Sequence, residues 1–139
     1  MKRFGSVLAL MVVLLSWVSA AARENKVDVK ELEKCLERVL KAYNDNDHEK
    51  FWAEYCSAAN DIKTKKNFED FRAGIYKNHG KFVKRGDLVK DKSMLEGENG
   101  QALYKAEFEK EKKLVISIVW VKEGKEIKLA QLEIGPPPE

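Results

Sequence analysis

The period of hydrophobic positions changes along this chain, and the changes divide it into elements. Residues 7–15 form an uninterrupted apolar run, extended by Trp17 and Val18, with Lys2 and Arg3 before it and Ser19, Ala20, Ala21 and Ala22 after it. From residue 27 onward the pattern is helical. Asp28 stands as an N-cap, Glu31 follows three residues later, and Val27 is placed to pack on Leu32 as a hydrophobic staple. Leu32, Cys35, Leu36, Val39, Leu40 and Tyr43 recur at spacings of three and four, the stripe of an amphipathic helix ending near Tyr43. Asn44, Asp45, Asn46 and Asp47 break it, because short polar side chains compete for backbone hydrogen bonds in turns and caps. Asn46 with Glu49 predicts a second helix over residues 48 to about 59, burying Phe51, Trp52, Tyr55, Cys56 and Ala59. A third helix is predicted over residues 67–79, capped by Asn67 and Asp70, with Phe68, Phe71 and Ile75 inward and Gly80 as its stop.

After Gly80 the period drops to two. Tyr104, Ala106 and Phe108 alternate with Lys105, Glu107 and Glu109, the signature of a half-buried strand. Residues 114–121 are apolar at odd and even positions alike, which predicts a central strand, entered after a polar turn at 109–113 and left through Glu123 and Gly124 into a last strand at 125–134. Residues 82–89 and 92–95 are weaker strand candidates, with a turn at Glu98, Asn99 and Gly100. The expected fold class is α+β: three N-terminal helices packed against a curved antiparallel sheet.

The first 22 residues have the charged, apolar, small-residue order of a secretory signal peptide. A membrane span needs about 20 consecutive apolar residues, and this run is shorter. The expected organisation is a signal peptide at 1–22, one α+β domain at 23–134 and a free proline-rich tail at 135–139, in an exported protein, periplasmic or secreted, with no membrane span once the signal is cleaved. The whole chain holds 26 Lys and Arg against 23 Asp and Glu. Two of the basic residues fall within 1–22, so the remaining domain is almost neutral, which speaks against nucleic-acid binding. Residues 63–92 are locally basic, a solvated face or a site for anionic material.

The chemistry-bearing residues form no recognisable motif. Two histidines, His48 and His79, fall at helix ends, and neither has a nucleophile or carboxylate at a motif spacing. Two cysteines and two histidines lie scattered without a metal-ligand spacing, so neither metal nor cofactor is expected. Cys35 and Cys56 lie at equal distances either side of the break at 45–46. A helical hairpin folded there would bring them level, and a disulfide would stabilise the domain by roughly 3 kcal/mol; the alternative is two buried free thiols.

Three helices followed by an antiparallel meander, with Ala42 through Asp47 before Phe51 and Trp52, then Phe68 to Phe71 and the helix-ending His79, Gly80, Lys81 and Phe82, resemble the nuclear transport factor 2-like superfamily, which includes ketosteroid isomerase-like enzymes. The resemblance implies a cone in which the sheet wraps a long helix and whose open end serves as a ligand pocket, a dimer surface or a filled core. A pocket in such a cone would be lined by Tyr43, Trp52, Tyr55, Phe71, Tyr104, Phe108 and Trp120, residues that equally suit a core. The resulting expectation is a non-catalytic domain that takes a protein partner or a small apolar ligand at the cone mouth or the sheet face, with a homodimer through the sheet as one form of partner. Two alternatives are a small isomerase- or hydrolase-type enzyme with its site inside the cone, and a cystatin-like inhibitor or structural module, in which one dominant helix leads directly into strands.

Overall fold

A computed structural model describes residues 26–138; the signal peptide expected at 1–22 lies outside the described residues, as does Glu139. Helix α1 spans Val29–Asp45, and the Asp28 carboxylate caps it by accepting from the backbone N–H of Lys30 at 3.0 Å and of Glu31 at 3.4 Å. It buries Leu32, Cys35, Leu36, Val39, Leu40, Ala42 and Tyr43, the predicted stripe with Ala42 added. Its end is made by Asn46 in the left-handed region (φ 57°), after which the Asp47 N–H returns to the Ala42 carbonyl at 2.9 Å.

Asn46 therefore closes α1 instead of opening the next helix. The cap of α2 (His48–Ala53) is Asp47, whose carboxylate accepts from the Lys50 N–H at 3.1 Å. Helix α2 also stops at Ala53, short of the expected residue 59. The cause is tertiary: the Leu129 N–H donates to the Glu54 carbonyl and the Cys56 N–H donates to the Leu129 carbonyl, both at 2.8 Å, so the chain is captured by a distant strand before the helical stripe is finished. A 3-10 helix, Ser57–Ile62, follows. Helix α3 (Lys65–His79) starts two residues earlier than predicted, because the Thr64 hydroxyl accepts from the Asn67 N–H at 3.0 Å while Asn67 and Asp70 are turned to other partners. Gly80, at φ 75°, ends it as expected.

The same capture decides the cysteines. Cys35 faces inward from α1 with its thiol 4.0 Å from the Glu54 carbonyl, whereas Cys56 lies beyond the end of α2 with its backbone tied to Leu129. Both are buried free thiols, and the expected Cys35 to Cys56 disulfide is not present.

Four strands form one antiparallel sheet in chain order: β1 (Phe82–Leu88), β2 (Asn99–Phe108), β3 (Glu111–Glu123) and β4 (Glu126–Gly135). The sheet is an open meander, and β3, apolar on both faces, lies inside it as predicted. The weak strand at 92–95 is instead a 3-10 turn, Lys90–Lys92, followed by a single bridge from Met94 to Gln101. The turn expected at 98–100 falls earlier, around Gly97 at φ 94°, and Gly100 already belongs to β2. Register irregularities interrupt every pair of neighbouring strands, and such bulges bend a strand and sharpen its twist.

Ala102, Tyr104, Ala106 and Phe108 on β2, Leu114, Ile116, Ile118 and Trp120 on β3, and Leu129 and Leu132 on β4 meet α1 in one core. Each large apolar side chain so enclosed contributes about 1.5–3 kcal/mol relative to exposure. The architecture is α+β, with three α-helices before the sheet, which is not the single-helix arrangement of the cystatin-like alternative.

Candidate functional site

The seven aromatic residues proposed to line a pocket are distributed through the packed interior. Trp52, Tyr55 and Phe71 gather around Phe51, with ring centroids at 5.0, 5.4 and 5.5 Å from it, and Phe68 completes the cluster at 4.9 Å. Tyr43 and Phe108 form a second cluster at 6.1 Å, with Tyr76 beside the first and Phe82 beside the second. Tyr104 and Trp120 stand apart from both, on the inner faces of β2 and β3. Six of the seven are buried, and Phe71 is partly so.

Four of them, Tyr43, Trp52, Tyr104 and Trp120, have their polar ends satisfied from within the protein. The Tyr43 hydroxyl donates to the Gly80 carbonyl at 2.7 Å, the Trp52 indole N–H to the Thr64 carbonyl at 2.9 Å, and the Trp120 indole N–H to the Met94 carbonyl at 3.0 Å. The Tyr104 hydroxyl donates to Glu33 at 3.0 Å, and Arg85, 3.5 Å from the other Glu33 oxygen, lies over the Tyr104 ring. Burial holds the Tyr104 phenol well above the ordinary tyrosine range, with the Glu33 charge acting in the same direction, so it stays a proton donor to Glu33. Arg72 closes the other end of α1. Its Nε donates to the Tyr43 carbonyl at 2.7 Å, and its guanidinium stacks 4.4 Å from the Tyr76 ring centroid.

His48 and His79 do not converge on a common site: His48 packs near Phe68 and His79 near Phe108. Among the described residues, no three His, Cys, Asp or Glu side chains are grouped as a metal site would require. No polar or charged residue belongs to the buried set there.

Concave space lies on the opposite face of the sheet. A recess of about 440 Å³ is lined by Val89, Leu103, Leu114 and Val115, by Pro137 and Pro138, and by Lys92, Lys105, Lys112 and Lys113. Adjoining recesses of about 340 and 330 Å³ continue it past Ser117 to Glu133 and Pro136. Alternation explains the floor. With Tyr104 and Ile116 turned toward the helices, Leu103 and Val115 must turn away, yet they remain only 9% and 8% exposed. The proline segment, expected as a free tail, runs beside them and helps to form the recess. The polar side chains lining the recess of about 440 Å³ are lysines, whereas Ser117 and Glu133 border the same floor in an adjoining recess; among the described residues none of Lys92, Lys105, Lys112 and Lys113 takes part in an ion pair.

Sequence reasoning singled out none of these residues individually, although two signals were present. Residues 114–121 are apolar on both faces, which assigns Val115 and Val119 outward, and Leu103 is an apolar residue on the otherwise charged side of β2. Of the lysines, Lys92 falls within the basic stretch at 63–92, whereas Lys105, Lys112 and Lys113 carried no signal, since lysine on a strand's outer side is the ordinary solvated choice.

No protein-family model and no curated protein matches this chain. Among solved structures it is similar to Bd1075 of Bdellovibrio bacteriovorus, with a TM-score of 0.50 and 16% identity over 79% of this chain and 41% of the other. The chain thus spans about two fifths of that protein, and the likeness is one of fold.

Proposed function

We propose that this protein is an exported, non-catalytic binding domain of the nuclear transport factor 2-like type, and that its docking surface is the outer face of the sheet rather than the space between sheet and helices. The order of elements supports the family assignment, and the composition of residues 1–22 supports export. The observation that carries the reading is the contrast between the two faces. On one, aromatic rings pack in the core and Tyr43, Trp52, Tyr104 and Trp120 have their polar ends internally bonded; on the other, an apolar floor of Leu103 and Val115 borders about 440 Å³ of space, within the size range of small-molecule sites. The ligand class is small and predominantly apolar.

Fluorescence of the neutral apolar probe N-phenyl-naphthylamine tests this. The protein is expected to bind it, and two variants of the outer face, Leu103→Asp and Ser117→Trp, are expected to lose binding while keeping the native circular dichroism spectrum. The second puts a bulky ring beside Leu103, its partner across β2 and β3, without adding charge, so the test survives if the first fails to fold. Unchanged binding in a folded Ser117→Trp protein would remove the outer face from consideration.

A further inference from the structure

The geometry points to an amphipathic anion as the ligand of the outer recess: a free long-chain carboxylate, its hydrocarbon body on the apolar floor and its headgroup among the lysines. The inference rests on the docking surface proposed above and adds the chemistry of the occupant. Two features converge on it. Leu103, Val115 and the two prolines offer apolar contact to a chain but no hydrogen-bond donors to fix a polar body. Lys105 on β2 and Lys112 and Lys113 at the start of β3 border the same recess and form no ion pair among the described residues, so they present positive charge beside an apolar surface, with the Glu111 carboxylate nearby accepting from the Lys113 backbone N–H at 3.1 Å. Glu133 lines an adjoining recess over the same Leu103, Val115 and Pro138; Lys105, Lys112 and Lys113 do not line that one, and the headgroup is therefore assigned to the lysine end.

Such a site distinguishes an anion with a long apolar tail from either part alone. A neutral alcohol of the same length would keep the floor contact and forgo the lysines, whereas a short carboxylate would meet the lysines with nothing on the floor. Pro137 and Pro138 also line the recess, so an occupying chain would touch them as well as the floor.

Equilibrium dialysis of the purified protein against hexadecanoate, hexadecanol and butyrate, each below its aggregation limit, provides the test. Hexadecanoate is expected to bind about tenfold more tightly than hexadecanol, with butyrate undetectable, and the double variant Lys112→Glu, Lys113→Glu is expected to erase the hexadecanoate advantage and leave hexadecanol unchanged. Equal binding of hexadecanoate and hexadecanol, both lost in Ser117→Trp, would overturn the anionic ligand and keep the docking face. Binding of neither, or binding indifferent to Ser117→Trp, would overturn both. Sedimentation with phosphatidylglycerol vesicles in the absence of any monomer binding would likewise overturn the free carboxylate in favour of a membrane surface.

Discussion

Gly100 shows how one missing side chain sets a local arrangement. A methyl group built there would collide with the Met94 carbonyl and stand 2.8 Å from the Trp120 ring, the two groups that the indole hydrogen bond holds together. Gly100→Ala is expected to cost about 1–3 kcal/mol, the usual range for overpacking, seen as a lowered urea midpoint with unchanged slope. A second expectation at this scale concerns alkaline pH. Burial, with the Glu54 charge acting in the same direction, pushes the Cys35 thiol from its ordinary 9.0 up to about 12, and burial pushes the Tyr43 phenol from 10.0 up to about 12 against the pull of Arg72. Both groups keep their protons in the folded state where the unfolded chain has lost them. Their contribution is complete below pH 9 and disappears as pH rises toward 12, so urea midpoints measured across that window should fall steadily. A flat profile would mean that neither group is held in its neutral form.

Among the elements, α1 and the inner faces of β2 and β3 were legible in the sequence because local periodicity and final burial coincide there. Leu36, at the middle of the α1 stripe, is fully buried, and Leu36→Ala is expected to cost about 2–5 kcal/mol in a denaturation series. Helix α2 was only half legible. Tyr55, Cys56 and Ala59 continue its stripe in the sequence, but backbone pairing with Leu129 ends the helix at Ala53, and no local pattern encodes a partner so far along the chain. The start of α3 was misplaced for a smaller reason, because both Thr64 and Asn67 are capping residues and only geometry decides between them. Thr64→Ala is therefore expected to destabilise by about 1 kcal/mol, whereas Asp70→Ala, which loses only an exposed pair with Lys66, should change stability by less than about 0.5 kcal/mol. The outer recess was the least legible part of the candidate site. Leu103 and Val115 signalled their direction through strand alternation, but the proline segment that borders them is adjacent only in three dimensions.

At the scale of the whole molecule, the fold divides its two sheet faces between stability and binding. The helix side holds the core and both cysteines. Thiol titration without reductant should find two reactive groups after unfolding and none before, and finding no reactive group after unfolding would restore the disulfide. The other side carries the apolar floor, the lysines that form no ion pair among the described residues, and the prolines of the recess. The most direct measurement of this division is an isotope-filtered NMR experiment on the protein with bound N-phenyl-naphthylamine. Contacts from the probe to the methyl groups of Leu103 and Val115 are the predicted result; contacts to Ile116, Ile118 or Leu129, whose side chains belong to the core, would contradict it.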